Sequence, residues 1–120
     1  MARLLVVDDE EADLVVMRTI LERAHHQVWV ARDGDEALRE YDGKGIQVVI
    51  TDLHMRNVHG LELITILREY TPRPGIIAIS GTGEFQLDMA RALGAQRALS
   101  KPVVPADLLA AVVEVLPRRV

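Results

Sequence analysis

Asp8, Asp9, Asp52, Ser80 and Lys101 carry side chains that together suit metal-assisted phosphoryl transfer. Each stands where a short apolar run ends. Leu4–Val7 runs into Asp8-Asp9, Val48–Thr51 into Asp52, Ile76–Ile79 into Ser80, and Ala98–Ser100 into Lys101-Pro102. Strand ends of an α/β sheet are where binding sites collect, in the crevice outside the carboxyl edge. Like charges at ~4 Å repel by roughly 1 kcal/mol in water and about 4 kcal/mol near a protein surface. Three clustered carboxylates therefore call for a cation, and a hard, oxygen-liganded divalent ion such as Mg²⁺ suits them. A carboxylate beside a metal, a lysine and a hydroxyl can act as a nucleophile toward phosphorus. That reaction needs mainly positioning and neutralisation of charge on the equatorial oxygens.

Taken singly, each piece has a plainer reading. Asp8-Asp9-Glu10-Glu11 opens a helical segment, where acids favour the helix dipole and cap free N–H groups. Asp52 reads as a loop acid, Ser80-Gly81-Thr82-Gly83 as a turn, and Lys101-Pro102 as a strand terminus where proline stops the ladder. What joins them is the set of elements behind them.

Two textures alternate along the chain. Short runs rich in β-branched residues (Leu4–Val7, Val28–Ala31, Ile46–Thr51, Ile76–Ser80 and Ala95–Leu99) recur at the spacing of βαβ units. Between them lie segments with helical periodicity. Leu14, Met17, Leu21 and Ala24 form one stripe, Ala37, Leu38 and Tyr41 a second, and Leu63, Ile64 and Leu67, opened by Gly60, a third. Phe85, Met89 and Leu93 form a fourth, closed by Gly94 as a C′ residue. Leu108, Leu109, Val112, Val113 and Leu116 form a fifth, with Pro105 in its first turn. Five β-α repeats predict parallel strands, right-handed crossovers and helices on both faces. All five strands then point the same way, and the chemical residues share one edge. Val28–Ala31, with Trp29 and polar neighbours, reads as lying nearer an edge than the continuously apolar runs.

Composition bounds the rest. The chain has 120 residues and is 49% hydrophobic, enough for one folded domain spanning residues 1–120. A net charge of −4 argues against nucleic-acid binding through phosphate contacts. Lysine occurs only at 44 and 101, and cysteine not at all, which rules out disulfides and thiolate metal sites. The first apolar run is too short for a signal peptide, and no run approaches membrane-spanning length. A cytoplasmic protein with no membrane partner is the expectation.

The motifs Val6-Val7-Asp8-Asp9-Glu10, Asp52-Leu53-His54-Met55 with Gly60, Ser80-Gly81, Gly94-Ala95 and Lys101-Pro102, in this order and spacing, resemble those of a response-regulator receiver domain. The likeness covers essentially the whole chain. It implies a five-stranded parallel sheet in the order 2-1-3-4-5, doubly wound by five helices. It implies that Asp52 accepts a phosphoryl group from a phosphohistidine on a sensor histidine kinase or phosphotransfer protein. Asp9 would be the direct carboxylate ligand of Mg²⁺ and Asp8 its partner largely through water. Asp52 and the backbone carbonyl of His54 would complete the protein ligands. Lys101 would pair with Asp52 at rest and with a phosphoryl oxygen afterwards, and Ser80 would be the switch hydroxyl. The output, toward a downstream protein, would reach the face around Phe85–Leu93, Ala95–Leu99 and Asp107–Leu116.

The chain departs from the family pattern at several places. Ala98 stands where the family usually has an aromatic residue that moves inward with the switch hydroxyl. The usual aromatic readout is thereby removed, and the expectation is a relay by backbone shifts or by another side chain. Arg56 stands where a proline is common, which would have preset φ. His59 replaces a frequent Asp before Gly60. His54 and Thr82 occupy the two variable positions that influence phosphoryl lifetime in the family. His25 and His26 read as surface-loop residues at the opposite edge of the sheet.

The resulting expectation is a signalling switch, not a turnover enzyme. A small phosphatase or phosphotransferase with an aspartyl-phosphate intermediate is the competing class. Asp8-Asp9-Glu10, however, lacks the D-x-D spacing of haloacid-dehalogenase-like enzymes. A non-phosphorylated pseudo-receiver is a third, set against the filling of all five chemical positions. No run up to Val120 reads as an output domain, and a stand-alone receiver and a segment of a longer regulator fit equally.

Overall fold

The computed structural model describes residues 1–55, 60–81 and 83–117. Ten elements alternate strictly: β1 (Arg3–Val7), α1 (Glu11–Arg23), β2 (Gln27–Ala31), α2 (Gly34–Tyr41), β3 (Val48–Asp52), α3 (Gly60–Leu67), β4 (Gly75–Ser80), α4 (Glu84–Leu93), β5 (Arg97–Ser100) and α5 (Pro105–Val115). The strands form one parallel sheet in the order β2-β1-β3-β4-β5. The predicted α/β architecture and strand order are therefore those observed.

Period-two alternation along the strands divides the core. Leu5, Val7, Val49, Ile76 and Ala78 face one layer, with Ala37 of α2, Leu63, Ile64 and Leu67 of α3, and Leu87 and Ala90 of α4. Leu4, Val6, Val48, Ile50, Ile77 and Ile79 face the other, with Leu14, Met17 and Leu21 of α1 and Leu108, Ala111, Val112 and Val115 of α5. Strands β3 and β4 are buried at every residue, as strands covered on both faces must be. β2 is an edge strand, and its half-buried Trp29 lies under the Arg3 guanidinium at 4.8 Å.

Two helical stripes differ from the expectation. In α4, Phe85 and Met89 are 73% and 39% exposed, while Leu87 and Ala90 are buried. In α5, Val113 is exposed, and Ala111 and Val115 are buried with Leu108 and Val112. In α4 apolar residues lie on more than one face, and the sheet takes the smaller Leu87 and Ala90; in α5 only Val113 of the expected stripe faces out, while Leu109 and Leu116 pack partly buried against the core. Other signals stand as read. Gly94 ends α4 with φ of 135°, a conformation that favours glycine, and Pro105 opens α5. His25 is exposed and His26 half-buried, both before β2 at the opposite edge from the acids.

Candidate functional site

Strand direction assembles the site. Asp8 and Asp9 follow β1, Asp52 ends β3, Ser80 ends β4, and Lys101 follows β5. β1 and β3 are neighbours, and this is where the order of connection reverses, so the acids flank the sheet's switch-point crevice. Carboxylate oxygens of Asp8, Asp9 and Asp52 all lie within 4.8 Å of one another. Asp8 and Asp52 are buried and Asp9 is exposed, which leaves the cluster open to solvent on one side.

Backbone geometry fixes the two buried acids. Asp8 continues the sheet ladder, its N–H donating to the Ala31 carbonyl at 3.0 Å. Its carboxylate accepts the Glu10 N–H at 2.9 Å. The acidic run thus does not cap α1 as the plain reading expected. Glu10 is the N-cap residue and makes no side-chain cap bond. Asp52 pairs with Ile79 of β4, and the next N–H, that of Leu53, donates to the Ile79 carbonyl at 3.0 Å. On its other side the start of α3 presses close. A Cβ at Gly60 would lie 2.2 Å from the Asp52 carbonyl oxygen, so only glycine fits there.

The electrostatics reflect burial without a full set of counter-charges. Desolvation pushes Asp8 up to about 6, against the Glu10 N–H bond; the Asp52 charge adds to the rise and Lys101 opposes it. Asp52 is raised too, first by desolvation. The Lys101 charge and the His54 and Leu53 backbone N–H groups oppose the rise, and the Asp9 charge adds to it. For Lys101 burial favours the neutral amine, but hydrogen bonds to Asp13 and Asp8 and the charges of Asp52 and Asp8 outweigh it and hold the ammonium form. A hard divalent cation fits this donor set, because it supplies the positive charge that one lysine does not.

Lys101 reaches three carboxylates at unequal distances. Its Nζ donates to Asp13 at 2.8 Å and Asp8 at 3.1 Å, and stands 3.7 Å from Asp52. The expected pairing with Asp52 exists at ion-pair range, but the hydrogen bonds go elsewhere. Asp13 was not singled out in the sequence. Its signal was spacing: it stands four residues before buried Met17, so it shares that residue's face one turn nearer the acids.

Ser80 is fully buried, and its carbonyl accepts the Lys101 N–H at 2.9 Å. His54 has an exposed side chain, and its N–H donates to the Asp52 carboxylate. Ala98 is buried opposite Ala78. Arg56, His59 and Thr82 lie outside the described residues.

Comparison with known proteins agrees with this architecture. The family described as response regulator receiver domain matches residues 4–113. The sensory/regulatory protein RpfC of Xanthomonas campestris pv. campestris is 33% identical over 89% of this chain, which spans 15% of RpfC. A response regulator receiver domain protein from Clostridium thermocellum superposes with a TM-score of 0.87 at 31% identity, covering 96% of this chain and 94% of that one. A response regulator from Burkholderia pseudomallei, solved with a phosphorylated aspartic acid, a calcium ion and citrate, superposes with a TM-score of 0.84. It is 31% identical over 93% of this chain and 66% of its own. With the sheet order and the acid–lysine edge in agreement, this chain belongs to the response regulator receiver domain family of two-component phosphorelay signalling.

Proposed function

We propose that Asp52 accepts a phosphoryl group from a phosphohistidine on a sensor histidine kinase or phosphotransfer protein, and that the product switches a surface for a downstream protein. The observation that carries this is the place of Asp52: buried at a strand end, within 4.8 Å of two other carboxylates and 3.7 Å from Lys101. An Asp52 oxygen attacks phosphorus, the P–N bond to the donor imidazole breaks, and its electron pair leaves on the imidazole nitrogen, which takes up a proton. The His54 N–H group holds the acceptor carboxylate in place. Asp8, Asp9, Asp52 and the His54 carbonyl would hold Mg²⁺, which when bound neutralises charge on the transferring oxygens. The calcium ion and phosphorylated aspartic acid of the Burkholderia protein support this chemistry.

Lys101 and Ser80 then bind phosphoryl oxygens. Phosphorylation adds charge and acceptor oxygens that exist in only one state, and such a differential interaction biases a conformational equilibrium. The biased face is that of α4, β5 and α5, where Phe85 and Met89 of α4 stand exposed. With Ala98 in place of an aromatic side chain, the relay runs through backbone shifts or another side chain. The chain acts as a switch, not a turnover enzyme, and works in the cytoplasm. Among the described residues no helix is long and apolar enough to cross a membrane.

Intact-mass measurement after treatment with acetyl phosphate and Mg²⁺ tests the reading. One added phosphoryl mass is expected on the wild-type chain and none on Asp52→Asn. No adduct on the wild type, or an adduct that survives the substitution, would refute it. Sustained phosphate release from a phosphomonoester would favour the phosphatase class instead.

A further inference from the structure

Lys101 has three ammonium protons, and two are committed to carboxylates other than the acceptor. The shortest bond, 2.8 Å, goes to Asp13 in the first turn of α1. Asp52, at 3.7 Å, is beyond hydrogen-bond length. The two ends of the Asp13 contact belong to elements fixed independently, α1 and the segment after β5, both packed into the same core layer. Asp13 therefore pulls the ammonium to the α1 side of the pocket, while a phosphoryl group on Asp52 would draw it toward β3. An interaction made in only one of two states biases the equilibrium toward that state.

We infer that Asp13 is a positioning residue that holds Lys101 away from Asp52 and so weakens the pocket's grip on a phosphoryl group. This rests on the reading of Asp52 as acceptor and Lys101 as a binder of the product. It adds a regulatory element outside the five positions expected to carry the chemistry. The plainer role for Asp13 is that of a first-turn acid favoured by the helix dipole. That role predicts a change in stability and none in phosphoryl affinity.

The probe is beryllofluoride, a phosphoryl mimic, titrated by ¹⁹F NMR with Mg²⁺ into the full chain. Asp13→Asn is expected to bind it about 2- to 5-fold more tightly, the range a partly exposed ion pair is worth. Asp13→Ala, a second variant without any acceptor, is expected to shift affinity in the same direction. Glu10→Gln serves as the charge-matched control, because it removes one negative charge beside the acids from a residue that does not touch Lys101; its affinity is expected to stay at the wild-type value. No gain with either Asp13 variant, or an equal gain with Glu10→Gln, overturns the inference. A wild-type chain that takes up no beryllofluoride overturns the acceptor reading as well, so the two failures are distinguishable.

Discussion

The backbone N–H of Lys101 donates to the Ser80 carbonyl at 2.9 Å, which extends the β4–β5 ladder past its last strand pair, Ser80 with Ser100. The two groups assigned to sense the phosphoryl therefore hang from one hydrogen-bonded rung. Neither backbone can shift far without the other. Ser80→Ala is expected to leave phosphoryl acceptance by Asp52 intact while shrinking the chemical-shift changes that beryllofluoride produces along β5. Loss of the adduct itself in that variant would contradict this division of roles.

The absence of an aromatic side chain at position 98 leads to a second expectation. Amide shifts between resting and beryllofluoride-bound forms are expected to extend through β5 into α4, carried by the backbone. If the two forms differ only at Asp8, Asp9, Asp52, Ser80 and Lys101, the relay through this face does not operate.

Asp8 sets a pH dependence in the metal-free protein. Its folded-state value, about 6, lies above the ordinary 3.8, chiefly because of burial. The folded state thus binds the proton more tightly than the unfolded state does. The stabilisation from this group is complete below about 4 and is lost as pH rises through about 6. Asp52 shifts in the same direction. In EDTA, Asp8→Asn is expected to raise Tm at pH 7 relative to wild type and to leave it nearly unchanged at pH 4. A variant that lowers Tm at pH 7 would show that the carboxylate's bonds to Glu10 and Lys101 outweigh its burial.

Divalent cations should remove that penalty. Mg²⁺ at a hundredfold excess over its dissociation constant adds about 2.7 kcal/mol by mass action. Thermal melts are expected to rise with Mg²⁺ in the wild type and to lose that response in Asp9→Asn, whose exposed carboxylate completes the cluster. An unchanged response in Asp9→Asn would place the cation elsewhere.

Gly60→Ala is expected to cost about 1–3 kcal/mol or more, as overpacking does, because the new methyl meets backbone and not a flexible side chain. Urea melts measure the loss. The same variant should accept phosphoryl more slowly from acetyl phosphate, since relief of the clash moves Asp52 or α3. Wild-type stability and rate together would mean that α3 shifts without effect on the acceptor.

Much of this molecule was legible in its sequence because the signals were redundant. Leu4–Val7, Val48–Ile50 and Ile76–Ile79 are apolar throughout, and only strands buried on both faces need that. The strict β-α alternation then made the strands parallel and put Asp8, Asp52, Ser80 and Lys101 on one edge. Strand order came from the family resemblance, since periodicity does not specify which strands are neighbours. Phase was harder where a helix has apolar residues on several faces. Phe85 and Met89 outweigh Leu87 and Ala90 in size, yet the sheet selects the smaller pair. Asp13 has no distinguishing local signal, because a first-turn acid has an ordinary explanation in the helix dipole. Its contact with Lys101 crosses 88 residues of chain, a separation that local pattern does not register.

Gly60 also bears on how the acceptor can diversify. The contact it permits is backbone against backbone, at the carbonyl of Asp52, and the ladder to Ile79 holds the other side. Neither restraint involves the side chains at positions 56 and 59. Sequence drift at positions such as 56 and 59, where arginine and histidine stand, is thereby separated from the placement of the carboxylate. A lineage can change those positions for new partners while the acceptor stays where it is.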